Sequence, residues 1–315
     1  MIVIEVSADA QKMRLEDFLL DHFSGLSKMY LRDVVKTERC EVNGRWENIG
    51  YRLRENDLIE IVVDRDRETA MKPENIPLDI VFEDEHIVVV NKPAGMLVHP
   101  SHRENNGTML NALSFYLNKG HEEEKWGRGE KEQIGVESEV PSSPPRLFSS
   151  SQTVRPGLPH RLDKQTSGLI VVAKNAFAHR RLSADFMKKR VEKRYLALVE
   201  GIVSEDAGTI EAPIGRFAEL KQWNVKANGK HSESRFWVRE RYADTTLIEL
   251  EPVTGRTNQL RIHCELIGHP IVGDTRRGGR EFERLCLNAY KLAFPHPTSN
   301  EPMSFETSEF HFKIN

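Results

Sequence analysis

The chain of 315 residues is poor in the features that announce most protein classes. It has 3 cysteines, Cys40, Cys264 and Cys286, widely separated. They form no C-x-x-C pair and no even-numbered framework, which argues against structural disulfides and against a cysteine-rich zinc site. Among the 12 histidines, His99/His102 and His263/His269 come closest to ligand spacing. Neither pair has a third ligand nearby, so no metal is expected. No apolar run approaches the ~20 residues that a membrane-spanning helix needs. The first residues, Met1 to Val6, alternate like a strand and lack the basic, apolar and small-residue order of a signal peptide. A soluble, cytoplasmic protein is therefore expected. Walker-type loops, G-x-G-x-x-G and G-x-S-x-G are missing too, which removes the common nucleotide-cradling and acyl-transfer motifs.

What is present suits a folded chain of about two domains, with 38% hydrophobic and 30% charged residues. The formal net charge of −3 does not announce a nucleic-acid partner. Its distribution says more. Residues 160–200 hold ten Lys/Arg against four Asp/Glu, and residues 28–54 hold seven against four.

Residues 1–68 read as a small α+β module. Leu15, Phe18 and Leu19 have helical spacing, and Ser27 can cap a second helix carrying Tyr30, Leu31, Val34 and Val35. Asn43-Gly44 is a strong hairpin turn, Asn56-Asp57 marks another, and Leu58 to Val63 is a strand. Lys28, Arg32, Lys36 and Arg39 could meet phosphates or simply form a solvated helix face. Residues 69–79, with Pro73 and Pro77, read as a linker. Two strands around an acidic turn follow, running from Ile80 to Val90, and Lys92 ends the second before the Pro93–Gly95 turn. Thr108 can cap a helix carrying Leu110, Leu113, Tyr116 and Leu117. Residues 118–157, rich in Glu, Pro and Ser, cannot bury enough surface to offset their ordering entropy. They are expected to be a disordered insertion, either a partner-binding loop or a tolerated one.

Then comes His160-Arg161-Leu162-Asp163-Lys164-Gln165-Thr166-Ser167-Gly168, followed by the apolar run Leu169 to Ala173, a buried strand. In extended backbone Arg161 and Asp163 point to one face, so they can project together from the mouth of that strand. Taken alone, the pair fits a surface salt bridge. A rigidly mounted carboxylate also suits catalysis. An amphipathic helix is predicted over 176–189, from Ala178, Leu182 and Phe186. Lys188, Lys189, Arg190, Lys193 and Arg194 lie on its other face and exit, an electrostatic footprint for RNA phosphate. Tyr195 to Val199 is a strand, and several more strands follow over 210–252. Thr257 is the expected N-cap of a further helix, with Leu260, Cys264 and Ile267 as its buried stripe and Gly268 and Pro270 at its end. Arg261 on that helix could reach inward to hold a carboxylate.

Residues 1–68 resemble the S4 RNA-binding domain, through Arg14 to Leu19, Leu26-Ser27-Lys28, Glu41 to Gly44 and Glu55 to Ile59. Residues 80–315 resemble the RluA-type pseudouridine synthases. The matching pieces, in the family's order, are Asn91-Lys92-Pro93-Ala94-Gly95, His160 to Gly168, Lys193 to Gly201, Thr254 to His263 and Gly268 to Asp274. The resemblance implies an α+β fold, a mostly antiparallel, bent mixed sheet with flanking helices. It implies isomerisation of uridine in RNA to pseudouridine without a cofactor. It also implies Asp163 as the catalytic carboxylate, Arg261 as its ion-pair partner, Tyr195 packing against the flipped uracil, and Arg161 as the base-flipping residue. Lys92 and the basic residues named above are the candidate RNA contacts. The expected partner is RNA, ribosomal ahead of transfer RNA, with no membrane, and the protein is expected to be a monomer. Asn258, Arg276-Arg277, Asn288 and Pro159 depart from the family pattern. Two other readings compete. A non-catalytic RNA-binding or ribosome-associated protein would not need the intact Asp163 set. A metal-independent hydrolase lacks a second placed acid or base.

Overall fold

The structure is a computed structural model that describes residues 1–23, 26, 28–64, 72–101, 104–118, 154–220 and 222–307. The expected cap Ser27, the start of the linker and nearly all of the expected insertion lie outside the described residues. The chain divides into two units, each compact in itself.

The first unit takes Met1–Asn75, His102–Asn106 and Asn111–Pro156. Its strands β1 (Ile2–Glu5), β2 (Cys40–Val42), β3 (Arg45–Trp46) and β4 (Leu58–Ile61) form a sheet in the order β1-β4-β2-β3. Helices α1 (Leu15–His22) and α2 (Lys28–Lys36) pack on each other and share a core with that sheet. α2 buries Tyr30, Leu31, Val34 and Val35, the stripe its spacing predicts. Asn43 and Gly44 both have positive φ, 54° and 68°, which is the backbone of a type I′ two-residue turn and sets the β2–β3 register. Helix α3 (Met109–Tyr116) follows the buried Thr108. Past it the Asn118 amide donates to the Val154 carbonyl at 3.0 Å and accepts from the Val154 N–H at 2.7 Å.

The second unit, Ile76–Ser101, Gly107–Leu110 and Gly157–Asn315, is built on a nine-stranded mixed sheet. Its strands are β5 (Asp79–Glu83), β6 (Ile87–Lys92), β7 (Ser167–Ala173), β8 (Glu192–Glu200), β9 (Ala207–Glu211), β12 (Glu233–Arg241), β13 (Thr245–Pro252), β14 (Leu287–Pro295) and β15 (Pro302–Glu306). They run β5-β6-β7-β14-β8-β13-β12-β9, with β15 on β14. Every pairing is antiparallel except β7 with β14. A separate hairpin pairs β10 (Ile214–Phe217) with β11 (Gln222–Val225). β6 and β7 are buried on both faces, as their unbroken apolar runs require. Helix α4 (Ala176–Met187) is capped by Asn175, whose side chain accepts from the Ala178 N–H, and it lays Ala178 and Leu182 on the core made by β6, β7 and β14. Helix α5 (Gln259–Leu266) packs on β12 and β13. Among the described residues no helix is long and apolar enough to cross a membrane.

Candidate active site

Arg161 and Asp163 lie in the loop that leads into β7. Leu162 between them is buried at 4% exposure, while Arg161 is exposed and Asp163 half-buried, and all three line one cleft. A turn closes behind them, with the Thr166 N–H donating to the Asp163 carbonyl at 3.2 Å. Gly168, the second residue of β7, has φ +114° where it crosses β14. A Cβ there would lie 2.3 Å from the Ala289 carbonyl oxygen. Asn288 locks the same crossing, accepting from Ser167 Oγ at 2.9 Å. The departure noted at that position is thus a buried tie between β7 and β14.

Asp163 opens into a cleft of about 550 Å³. Arg161, Lys193, Tyr195, Asn258 and Arg261 share its lining. Burial pushes the Asp163 carboxyl above its ordinary value, and Arg261, Arg161, Lys92 and Arg277, in that order, pull it back. Tyr195 is 9% exposed on β8, and burial followed by the Asp163 charge raises its hydroxyl, so it stays neutral. Its ring is an apolar floor beside the carboxylate. His160 stacks on Phe186 with centroids 4.5 Å apart and accepts from the Val171 N–H through Nε2. That bond assigns the proton of the neutral ring to Nδ1. Burial lowers its pKa to about 3, so it anchors the loop as a neutral ring.

Arg261 differs from expectation. Its fork is held by Asp274, with Nε to Oδ2 at 2.6 Å and Nη2 to Oδ1 at 2.7 Å, and Nη1 donates to Asn258 Oδ1 at 3.1 Å. Its hydrogen-bonded ion pair is thus with Asp274, and it acts on Asp163 through charge. The physical reason is fit, since a planar guanidinium matches one carboxylate bidentately. Asp274 had been quoted only as the end of a motif, and nothing in the residues assigned it this role. Asn258, not Thr257, is the N-cap of α5. It has φ 56° and makes no side-chain cap bond, which leaves its amide for Arg261. The buried stripe of α5 is Gln259, Leu260, Ile262, His263 and Cys264, with Ile267 only half-buried. Two further departures bear on the site: Pro159 lines the cleft, and Arg277 acts on it through charge. Arg277 pairs with Glu265 at 2.5 Å, donates to the Trp223 carbonyl at 2.9 Å, and adds to the field at Asp163.

The RNA-contact candidates separate into groups. Lys92 is corrected outright. Its side chain is fully buried, with Nζ donating to the carbonyls of Pro93 (2.8 Å), Met96 (2.8 Å) and Lys164 (3.2 Å). Burial lowers it to about 8. It therefore ties the Pro93 turn to the Asp163 loop and does not face RNA. Arg194 is also committed inward, paired with Glu192, Glu249 and Glu251 and lying 4.7 Å over the Trp237 ring. Lys193 is half-buried on the cleft wall, and burial pushes its ammonium down. Lys188 and Lys189 are exposed at the end of α4, Lys189 on the cleft rim, while Arg190 pairs with Asp185 at 3.4 Å. In the first unit Lys28 and Arg32 both pair with Glu16, Arg39 pairs with Asp33 and lies over Tyr30, and Lys36 is exposed. Of the histidine pairs, His263 is buried against Ser232 Oγ, His269 Nδ1 meets the Glu200 carbonyl, and His102 lies outside the described residues.

Residues 86–266 match the family described as RNA pseudouridylate synthase. A protein of Aquifex aeolicus named an uncharacterized RNA pseudouridine synthase is 35% identical, over 98% of this chain and 93% of its own. Ribosomal large subunit pseudouridine synthase D of Haemophilus influenzae is 32% identical, over 96% of this chain and 89% of its own. Among solved structures, human RNA pseudouridylate synthase domain containing 1 aligns with a TM-score of 0.52 and 26% identity, covering 78% of this chain and 86% of that one.

Proposed function

Because this chain belongs to the RNA pseudouridylate synthase family and isomerises uridine in RNA, we propose that Asp163 is its catalytic carboxylate and that large-subunit ribosomal RNA is its target. In the reaction the bond from C1′ to N1 breaks, the uracil turns, and C5 bonds to C1′. The C5 proton leaves and N1 gains one, so no electrons or groups are exchanged. Asp163 attacks or assists at the target nucleoside, and its charge is supported by Arg261 and Arg161. The Tyr195 ring meets the extruded uracil, since stacking needs no sequence readout. Arg161 has no hydrogen bond or ion pair among the described residues, so it is free to fill the space the base vacates. Residues 1–68 serve as an S4-like RNA-binding domain and residues 80–315 as the catalytic domain. The ribosomal target follows from the Haemophilus influenzae relative's name together with that S4-like pattern.

The observation that carries this reading is Asp163 itself, half-buried in the cleft within the field of four cations and beside a neutral tyrosine. The test expresses wild type and Asp163→Asn in a host deleted for its own enzymes of this type and maps pseudouridine across ribosomal and transfer RNA. We expect new sites in large-subunit RNA with wild type and none with the variant. Sites only in transfer RNA would sink the proposed target, and no sites at all with folded wild type would sink the activity.

A further inference from the structure

A second cavity, of about 450 Å³, lies beside the active-site cleft and shares with it the wall Gly255, Arg256 and Thr257. Its size suits a small ligand, whose pockets run ~300–1,000 Å³. The β10–β11 hairpin and the chain that follows it form the rest. Arg216, Lys226, Lys230 and Arg256 line it, and among the described residues no Asp or Glu does. Trp223 lines it too, directly opposite Arg216 in the hairpin register.

The cavity is a built feature. Gly229 lets its loop fold against β10, since a Cβ there would lie 2.5 Å from the Ile214 carbonyl carbon. Ile214 and Lys230 then exchange both backbone hydrogen bonds, at 2.9 and 2.8 Å. The Arg277 side chain pins the Trp223 carbonyl from behind. Arg256 spends only Nε, on the His231 carbonyl at 3.0 Å, and its Nη groups meet no other described residue. Four cations without a compensating acid repel one another unless an anion sits among them. An aromatic face within the same group takes a planar, sequence-independent partner.

We propose that this cavity is a subsite for a nucleotide adjacent to the target uridine. Arg216, Lys230 and Arg256 hold its phosphate, and its base stacks on Trp223. The inference rests on the reading of the neighbouring cleft as the uridine site. The wall Gly255–Thr257 separates this cavity from the cleft that holds Asp163, so the nucleotide next to a base in that cleft has this cavity within reach.

The test uses the full-length Asp163→Asn protein and a short fluorescein-labelled single-stranded RNA containing uridine, titrated at several salt concentrations. Loss of two phosphate contacts in Arg216→Ser/Lys230→Ser should lower the slope of log affinity against log salt by about 1.4, at ~0.7 per contact for single strands. Trp223→Ala should weaken binding about 5- to 150-fold, the fold-change for the ~1–3 kcal/mol of one stacked base, with Trp223→Phe restoring most of it. The charge-keeping Arg216→Lys/Lys230→Arg should keep the wild-type slope. Variants that melt like their parent yet bind with unchanged affinity and slope would overturn the subsite. Pseudouridine mapping with the wild-type Asp163 is scored apart. If it finds product while these variants bind normally, the subsite alone is wrong. If it finds none while they lose affinity, the cavity still binds RNA and the reading of the neighbouring cleft as the uridine site falls.

Discussion

Asp163 is held in a conflict. Burial raises its carboxyl above the ordinary 3.8, and four cations offset that only in part. A carboxyl whose folded pKa exceeds its unfolded one favours the folded state most below the unfolded value, and that stability is lost as pH rises through the folded value. At neutral pH the ionised Asp163 therefore costs stability. Asp163→Asn should melt higher than wild type at pH 7, with the gap closing toward pH 3.5, while pseudouridine formation falls on the order of 10³-fold or more. A lower melting temperature at pH 7 would contradict the electrostatic account. Activity of the wild type should fall on the acid side with a midpoint above 3.8. Asp274 belongs to the same balance. Asp274→Asn strands a buried guanidinium, which should cost about 3 kcal/mol. It also unmasks the charge of Arg261 toward Asp163, so the acid limb of the pH–rate profile should move to lower pH. Asp274→Glu should recover part of both effects. The sequence made Asp163, Arg161, Tyr195 and Arg261 legible because each sits in a compact motif. It hid the Arg261–Asp274 clamp, because hydrogen-bond partners 13 residues apart across a turn leave no periodic trace.

Elements were legible where burial imposes a period. β6 and β7 declared themselves by unbroken apolar runs, and α2 and α4 by their stripes. The pairing of β7 with β14 was not legible, because Ser167 and Asn288 are 121 residues apart and only two register pairs join the strands. One helix start, that of α5, falls one residue from where the sequence puts it. Thr257 and Asn258 are both cap-forming residue types, and it is Asn258 that takes the cap position, in the left-handed backbone that Asn tolerates, while its amide oxygen accepts from Arg261. Lys92 shows how an element end can mislead, since a lysine beside a polar turn reads as surface. Here its three donors stitch the Pro93 turn to the Asp163 loop. Lys92→Met leaves those carbonyls without their donor and should destabilise by about 2–4 kcal/mol, read as a drop in the urea midpoint. The same variant should lose activity, because the loop carrying Asp163 is no longer tied. A stable, fully active Lys92→Met would show that water or neighbouring N–H groups replace the ammonium.

At the scale of the whole molecule, a net charge of −3 belongs to a protein whose substrate is a polyanion. The two are compatible because RNA senses local density, and screening limits each exposed charge to about 10 Å at 0.1 M salt. Counting cations along the chain overstates the footprint, however. Arg194 was counted with its neighbours, yet Glu192, Glu249, Glu251 and the Trp237 ring already hold it. Lys188 and Lys189 are exposed and make no ion pair among the described residues, so their charge is available to phosphate. This distinction can be measured. Lys188→Ser/Lys189→Ser should leave the melting temperature nearly unchanged and lower the salt slope of RNA binding by about 1.4 to 1.8, at ~0.7 to ~0.9 per lost phosphate contact. Arg194→Ser should do the reverse. It takes one cation from Glu249 and Glu251, which keep Arg239 and Arg235, so the protein should melt lower while the salt slope stays within about 0.3 of wild type, well under the ~0.7 of one contact. If Arg194→Ser instead lowers the slope by a full contact, the ion pairs around it open when RNA arrives, and the basic footprint is as wide as the sequence count suggested.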